Sequence, residues 1–262
     1  MSDLTVSLVQ TPIHWHDPTA NRLALAGQLA AALAGPGLTD LIVLPEMFTT
    51  GFSMDAAAQA ELSDGPTLAW MREQTARYDA VLTGSVLLKE GDQYYNRLLW
   101  VRPDGSYSAY DKRHLFRLAG EHNVYAAGTE RLVEEWRGWR IRPLVCYDLR
   151  FPVWSRNTKE QPYDLLLYVA NWPNLRTQAW KVLLQARAIE NIAYTIGVNR
   201  IGTDGAGIEY SGNSALLDMR GEYLAQAGAM PTILTRRLHH QPLEEFRQQL
   251  PALLDADEFE LR

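Results

Sequence analysis

The sequence holds one thiol, Cys146, at the end of an apolar run and directly before Tyr147-Asp148-Leu149-Arg150-Phe151-Pro152. A thiol that loses its proton to a nearby base attacks carbonyl carbon. Glu46 follows Leu41-Ile42-Val43-Leu44-Pro45 and precedes Met47-Phe48. A carboxylate enclosed by such residues has a raised pKa and can serve as a general base. Lys112 closes the run 106–111 and precedes Arg113-His114-Leu115-Phe116. An ammonium beside a tetrahedral intermediate stabilises its oxyanion. Each residue also has a plainer reading. A lone cysteine is commonly a small buried hydrophobe, and Glu and Lys are mostly exposed surface charges. Taken together, three strand ends deliver a carboxylate, an ammonium and a thiol. No histidine stands in a comparable setting, so a Cys–His arrangement is not supported.

Strand ends require strands. Residues 5–10 and 38–44 read as strands, separated by an Ala/Leu-rich helix over 21–33 that Gly35-Pro36-Gly37 closes. Their apolar runs are continuous rather than alternating, which predicts strands covered on both faces. A helix over 67–78 and a strand over 80–88 follow. Residues 95–101 and 106–111 flank Arg102-Pro103-Asp104-Gly105, a hairpin turn in which Pro pre-sets φ and Gly accepts positive φ. Residues 139–145 run as a strand into Cys146. A strand over 164–170, a helix over 181–192 and a strand over 193–199 come next. Short strands are expected at 207–210, 214–218, 222–225 and 232–237, with a helix over 243–250. Gly202-Thr203-Asp204-Gly205-Ala206-Gly207 reads as a flexible loop between strands, and His239-His240 as exposed polar surface. The pattern predicts one α/β domain with mixed sheets and outer helices. In open α/β sheets, ligands gather beyond the strand C-termini.

Composition narrows the function. The 25 Lys and Arg against 31 Asp and Glu give −6 at pH 7, and the basic residues form no stripe, which argues against a nucleic-acid surface. One cysteine makes neither an intrachain disulfide nor a Cys-rich metal site, and the six histidines lack zinc-helix spacing. No P-loop, G-x-S-x-G elbow or H-E-x-x-H occurs. The N-terminus lacks a basic leader, and no run approaches the ~18 apolar residues of a membrane span. A protein of the reducing cytoplasm is expected.

The blocks Leu44-Pro45-Glu46, Tyr110-Asp111-Lys112-Arg113-His114-Leu115-Phe116 and Cys146-Tyr147-Asp148-Leu149-Arg150-Phe151-Pro152 resemble, in order and separation, the three signatures of the nitrilase superfamily, the carbon–nitrogen hydrolases. Arg187-Ala188-Ile189-Glu190-Asn191 and Asn199-Arg200 fit the same pattern. Thr50-Gly51-Phe52-Ser53-Met54, Trp136-Arg137-Gly138-Trp139-Arg140 and the tail Asp255-Ala256-Asp257-Glu258-Phe259 resemble the bacterial omega-amidases within it. The resemblance implies a four-layer α-β-β-α sandwich, one carbon–nitrogen hydrolase domain over 1–262, and a homodimer with the segment about 239–262 as interface tail. It implies the triad Glu46, Lys112 and Cys146 and a second glutamate, Glu121, in Gly120-Glu121-His122. Glu121 would orient substrate or position Lys112; its plainer reading is a surface loop acid. The oxyanion would form between Lys112 and the backbone N–H of Tyr147.

Neither metal nor organic cofactor is implied. The substrate implied is a small-molecule amide, the omega-amide of a 2-oxo dicarboxylate such as 2-oxoglutaramate or 2-oxosuccinamate. Its distal carboxylate needs a cation, for which Arg176 in Asn171-Trp172-Pro173-Asn174-Leu175-Arg176 is the expectation, with Arg150 as a rival read as structural. Trp172 and Phe48 either wall the pocket or belong to the core. Alternatives are an aliphatic amidase, a carbamoyl hydrolase, or a non-catalytic binding protein on the same fold.

Overall fold

The computed structural model describes residues 2–257 and 259. The chain begins β1 (Leu4–Gln10), α1 (Pro18–Ala32), β2 (Leu41–Val43), α2 (Ala56–Gln59), β3 (Glu61–Leu62) and α3 (Pro66–Tyr78). It continues through β4 (Val81–Glu90), β5 (Gln93–Val101), β6 (Tyr107–Asp111), β7 (Glu134–Trp136), β8 (Trp139–Val145) and α4 (Pro152–Ser155). Then come β9 (Leu165–Ala170), α5 (Thr177–Asn191), β10 (Tyr194–Asn199), β11 (Ile201–Thr203) and β12 (Glu209–Ser211). It closes with β13 (Ala215–Leu217), β14 (Tyr223–Gln226), β15 (Thr232–Leu238) and α6 (His240–Gln249).

Two sheets carry the fold. One runs β15-β1-β2-β4-β5-β6, with β3 added beside β4. The other runs β14-β13-β10-β9-β8-β7, parallel across β8, β9 and β10. Residue alternation sets the layers. Leu4, Val6, Leu8, Leu41 and Val43 face the second sheet, in one cluster with Leu144, Leu167 and Val169. Val9, Ile42 and Leu82 face the other way, onto Leu25 and Leu29 of α1 and Leu68 and Met71 of α3. On the far side, α5 lies directly on β10 because Gly197 has no Cβ, which would sit 2.5 Å from Leu184 and 2.6 Å from Trp180. The result is an α-β-β-α sandwich. Central strands covered on both faces account for the continuous apolar runs. Among the described residues, no helix is long and apolar enough to cross a membrane.

Several boundaries differ from the sequence expectation. The strand expected over 38–44 shortens to β2, because Thr39 and Asp40 use their side chains on the backbone of Thr5 instead. The helix expected from 181 begins at Thr177, with a polar first residue pair that carries no apolar period. The C-terminal helix begins at His240, not 243. That shift overturns the reading of His239-His240 as exposed surface. His239 is exposed, but His240 is buried, edge-on to Trp139 with ring centroids 5.0 Å apart.

The α6 helix is tied down by charge. Arg247 donates to Asp164 Oδ1 (2.7 Å) and to the carbonyls of Tyr163 and Ile192, while Arg140 grips the same carboxylate at 2.8 and 3.0 Å. Burial opposes the Asp164 charge, but the Arg140 and Arg247 hydrogen bonds outweigh it and hold its pKa below the usual carboxylate range. Its stabilising contribution is therefore full above that range and is lost as pH falls through the depressed pKa. Asp164→Asn is expected to cost about 2 kcal/mol at neutral pH. Thermal melts of the two proteins should converge as pH falls below the usual carboxylate range; a gap that stays constant would remove the ionic account.

Candidate active site

Cys146 stands at the C-terminal end of β8, where a 3-10 turn, Cys146–Arg150, begins. Its φ is +44°, in the left-handed region that an L-residue with a Cβ enters at a cost. The surroundings impose it. Asp148 in the turn accepts four hydrogen bonds: from Val145 N (3.0 Å), Tyr110 OH (2.8 Å), His114 N (3.0 Å) and His114 Nδ1 (2.8 Å). This one carboxylate thereby fastens the Cys146 turn to the segment that carries Lys112. From the other side, Arg187 of α5 donates to Leu149 O at 2.5 Å.

Glu46 and Lys112 are set with similar care. Beyond β2 the chain stays beside β4, with Leu44 N on Thr83 O, Met47 N on Ser85 Oγ and Phe48 N on Ser85 O. Lys112 follows β6; its N–H donates to Asn96 O, and Gly128 N closes on its carbonyl. A Cβ at Gly128 would lie 2.1 Å from Asp111 O, so only glycine permits that approach. Glu121 opens a second 3-10 turn after Gly120, whose φ is +76°.

These elements bring the four residues together. Lys112 Nζ donates to Glu46 Oε1 (2.8 Å) and to both oxygens of Glu121 (3.0 Å each). All three side chains are essentially sealed from solvent. Asn96 Nδ2 bridges the carboxylates, 2.8 Å from Glu46 Oε1 and 3.2 Å from Glu121 Oε1. Phe116 N donates to Glu121 Oε2 at 2.5 Å. Asn171 N donates to Glu46 Oε2 (2.8 Å) and Asn171 Nδ2 to Glu46 O (2.6 Å), while Asn171 O lies 4.0 Å from Cys146 Sγ. Glu46 thus has every lone-pair direction but one engaged by a named donor, which fixes its orientation.

The electrostatics follow from burial. Burial, then Glu46, pushes the Cys146 thiol well above its ordinary pKa, and Lys112 offsets only part of this. Burial also disfavours the Lys112 ammonium, but Glu121 and then Glu46 outweigh it and keep the group charged. Glu121 is raised, first by burial, with Lys112 pulling against it. A neutral thiol is the resting state this favours. Among the described residues, no group of three or more His, Cys, Asp or Glu is placed to hold a metal ion.

A cavity of about 460 Å³ opens over Cys146, Lys112 and Asn171. Trp172, Tyr147, Arg150 and Arg176 line it, and Trp172 belongs to the hydrophobic core as well. The Tyr147 N–H lies in the first turn after β8, where no intrahelical acceptor exists. Arg176 sits over the Phe116 ring at 5.4 Å and Arg150 over Trp172 at 5.0 Å, so the cation set aside as structural also faces the cavity. Phe48 does not. It is fully buried on the opposite face of the first sheet, against Trp70 and Leu44, because Met47 at φ +42° turns the chain away. Phe52 takes the wall position, 5.1 Å from Lys112 Nζ. Sequence reasoning missed Asn96, Asn171, Trp15 and Tyr210. Of these, Asn171 carried a signal, since it ends the strand beside β8 as Cys146 ends its own. Of the glycine-rich stretch 202–207, Gly202 and Thr203 belong to β11 and the rest forms the tip of the β11–β12 hairpin. Asp204 accepts from Ala206 N, Ile208 N and Tyr210 OH and so shapes the cavity's far wall.

A two-sheet sandwich with a thiol, a carboxylate and an ammonium beyond strand ends, and a second carboxylate in a neighbouring turn, defines a hydrolytic class. The chain belongs to the carbon–nitrogen hydrolase family, whose model, Carbon-nitrogen hydrolase, matches residues 5–248. It is 51% identical over 260 residues to Omega-amidase YafV of Yersinia enterocolitica, covering 99% of each chain. It is 32% identical over 219 residues to the 2-oxoglutaramate amidase of Bacillus subtilis (strain 168), covering 82% of this chain and 84% of that one. Among solved structures, XC1258 of Xanthomonas campestris, a CN-hydrolase superfamily protein with an arsenic adduct in its active site, superimposes with a TM-score of 0.97 at 50% identity over the whole of both chains.

Proposed function

We propose that the protein is an omega-amidase that hydrolyses the terminal amide of 2-oxo dicarboxylate monoamides, 2-oxoglutaramate and 2-oxosuccinamate, to the acid and ammonia. The observation that carries the reading is the sealed Glu46–Lys112–Glu121 cluster, whose Lys112 lines, with Cys146, a cavity that also holds two arginines. The identity to Omega-amidase YafV supports the same substrate class.

In the proposed mechanism Glu46 accepts the thiol proton as Cys146 attacks the amide carbonyl. The oxyanion is held by the Lys112 ammonium and the Tyr147 N–H. Protonated Glu46 passes its proton to the leaving nitrogen, ammonia departs and a thioester remains. Water then attacks the thioester, losing a proton to Glu46, and the acid leaves. Glu121 keeps Lys112 charged and aimed; Asn96 and Asn171 hold Glu46.

Arg176 is proposed to bind the substrate's distal carboxylate, a match of fork to carboxylate. Arg176→Gln is expected to raise KM for oxo-acid amides by about 10- to 100-fold, the size of one charge-assisted pair, and to leave neutral amides unaffected. Steady-state ammonia assays on both amide types check this, and the matching Arg150→Gln variant separates the two cations. Unchanged selectivity in Arg176→Gln would remove it from the site.

The protein is further proposed to work as a cytoplasmic homodimer formed by one domain over 1–262. Val182 and Ile189, seven apart on α5, are exposed together with Leu175 just before it, an apolar face of the kind that pairs. The helical part of the tail 239–262 packs on its own subunit through Arg247; Glu258 and residues 260–262 lie outside the described residues. Light scattering should give twice the chain mass, and Ile189→Glu should halve it. A monomeric wild type would end the dimer reading.

A further inference from the structure

The cavity is larger than a primary amide of this class requires. At about 460 Å³ it falls within the ~300–1,000 Å³ of clefts that enclose drug-sized ligands, whereas a five-carbon oxo-diacid monoamide has about ten heavy atoms. Its two walls also differ in character. Arg150, Arg176 and the rings under them form a cationic wall. Trp15, Phe52, Met54 and Ile208 form the other, and its one carboxylate, Asp204, is already occupied by two N–H groups and a phenol. A substrate carboxylate is attracted to the first wall and repelled from the second.

The second wall adjoins the group that protonates the leaving nitrogen. Phe52 lies 5.1 Å from Lys112 Nζ, which in turn bonds Glu46 at 2.8 Å. The neighbouring Tyr210 phenol is raised by burial, then by its Asp204 hydrogen bond, with Glu46 among the further causes, so Glu46 lies within electrostatic reach of this wall too. With the carboxylate on the arginines and the carbonyl over Cys146, a group borne on the amide nitrogen extends along Trp15, Phe52, Met54 and Ile208. The wall is preformed. The hairpin tip is pressed on Trp15 through Gly205, where a Cβ would lie 2.3 Å from the indole, and Trp15 stacks on His16 at 4.3 Å.

We infer that this wall is an amine-side subsite and that the enzyme also hydrolyses N-substituted omega-amides carrying an apolar or aromatic group on nitrogen. The inference rests on the omega-amidase reading for the acyl half of the substrate. The chemistry balances without a further reactant. The sulfur–carbon bond forms as the carbon–nitrogen bond breaks, the nitrogen takes its proton from Glu46 and leaves as a primary amine, and water hydrolyses the thioester.

The test compares 2-oxoglutaramate with N-benzyl-2-oxoglutaramate, following ammonia and benzylamine, in wild type, Cys146→Ala and Ile208→Asp. Ile208 is solvent-exposed on the hairpin, so the fold tolerates the change. Expected are benzylamine release that depends on Cys146, and a fall of about tenfold in the N-benzyl to parent ratio of kcat/KM in Ile208→Asp, the scale of an altered apolar pocket contact. Turnover of the parent with no benzylamine overturns the subsite and leaves the omega-amidase reading standing. Benzylamine release with an unchanged ratio in Ile208→Asp overturns the wall assignment. Turnover of neither compound overturns both readings.

Discussion

Cys146→Ala is expected to lower kcat for ammonia release by a factor on the order of 10⁴–10⁶, the range found when a covalent nucleophile is removed. The remaining groups still bind and polarise the amide, so a residual rate above water persists. Cys146→Ser should also fail, because a hydroxyl gives up its proton less readily than a thiol. Since Cys146 is the chain's only cysteine, wild type quenched in mid-turnover should carry the acyl mass on one identifiable sulfur. Full activity in Cys146→Ala would refute the proposed mechanism outright. The same position yields a second readout. At φ +44° an alanine stores left-handed strain that glycine does not, so Cys146→Gly should be more stable than Cys146→Ala by about 1 kcal/mol. For a chain of this size that is a rise in Tm of roughly 2–4 °C. Equal melting points would mean that the turn carries no strain at this residue.

The chain's own pattern disclosed the strands and the residues at their ends, for a physical reason. Central strands of the sandwich are buried on both faces, so Leu41-Ile42-Val43-Leu44 and Leu165-Leu166-Leu167-Tyr168-Val169-Ala170 read as apolar runs, and a charged residue that interrupts such a run stands out. Glu46 was legible in that way and Cys146 as the residue that ends a buried strand; Lys112 was read only from its place after 106–111, which is no apolar run, and Glu121 only through family resemblance. Asn96 and Asn171 were not, since an asparagine inside or just after a strand has no periodic signature, and its value here lies in bonds to residues 50 and 125 positions away. Phe48 shows the opposite failure. Its neighbour Glu46 points to Lys112 beneath the cavity, yet one positive-φ residue between them sends the ring to the other side of the sheet. Facing direction beyond a strand end depends on local backbone geometry, which the residue types do not specify. The hairpin at 202–208 escaped for a third reason: its order comes from the Asp204 side chain and from packing on Trp15, not from its glycines.

Lys112→Met is expected to damage stability and turnover together. The ammonium is the only cation bonded to Glu46 and Glu121 among the described residues, and both carboxylates are fully buried. Removing one partner of a buried ionic group costs about 3–5 kcal/mol, because the charges left behind are neither solvated nor paired. Glu46 and Glu121 already share the Asn96 amide, so without Lys112 they repel each other and one takes up a proton. The pH dependence then changes sign. In wild type the Lys112 pKa is raised, so its contribution is fully present below the ordinary lysine value and is lost only above it. In Lys112→Met a carboxyl pKa is raised above its unfolded value, so the variant is best placed in acid and loses stability as pH rises through the new pKa. The gap in Tm between the two proteins should therefore be small near pH 4 and wide at pH 7; a gap of equal size at both would remove the charge argument. Turnover should fall by at least the 10²–10³ of one lost oxyanion donor. Adding Glu121→Gln to Lys112→Met separates the two effects. It deletes one of the two repelling charges, so most of the lost stability should return, while the oxyanion still lacks its cation and the rate stays low. If the double variant melts no higher than Lys112→Met, Glu121 is not the charge that Lys112 balances.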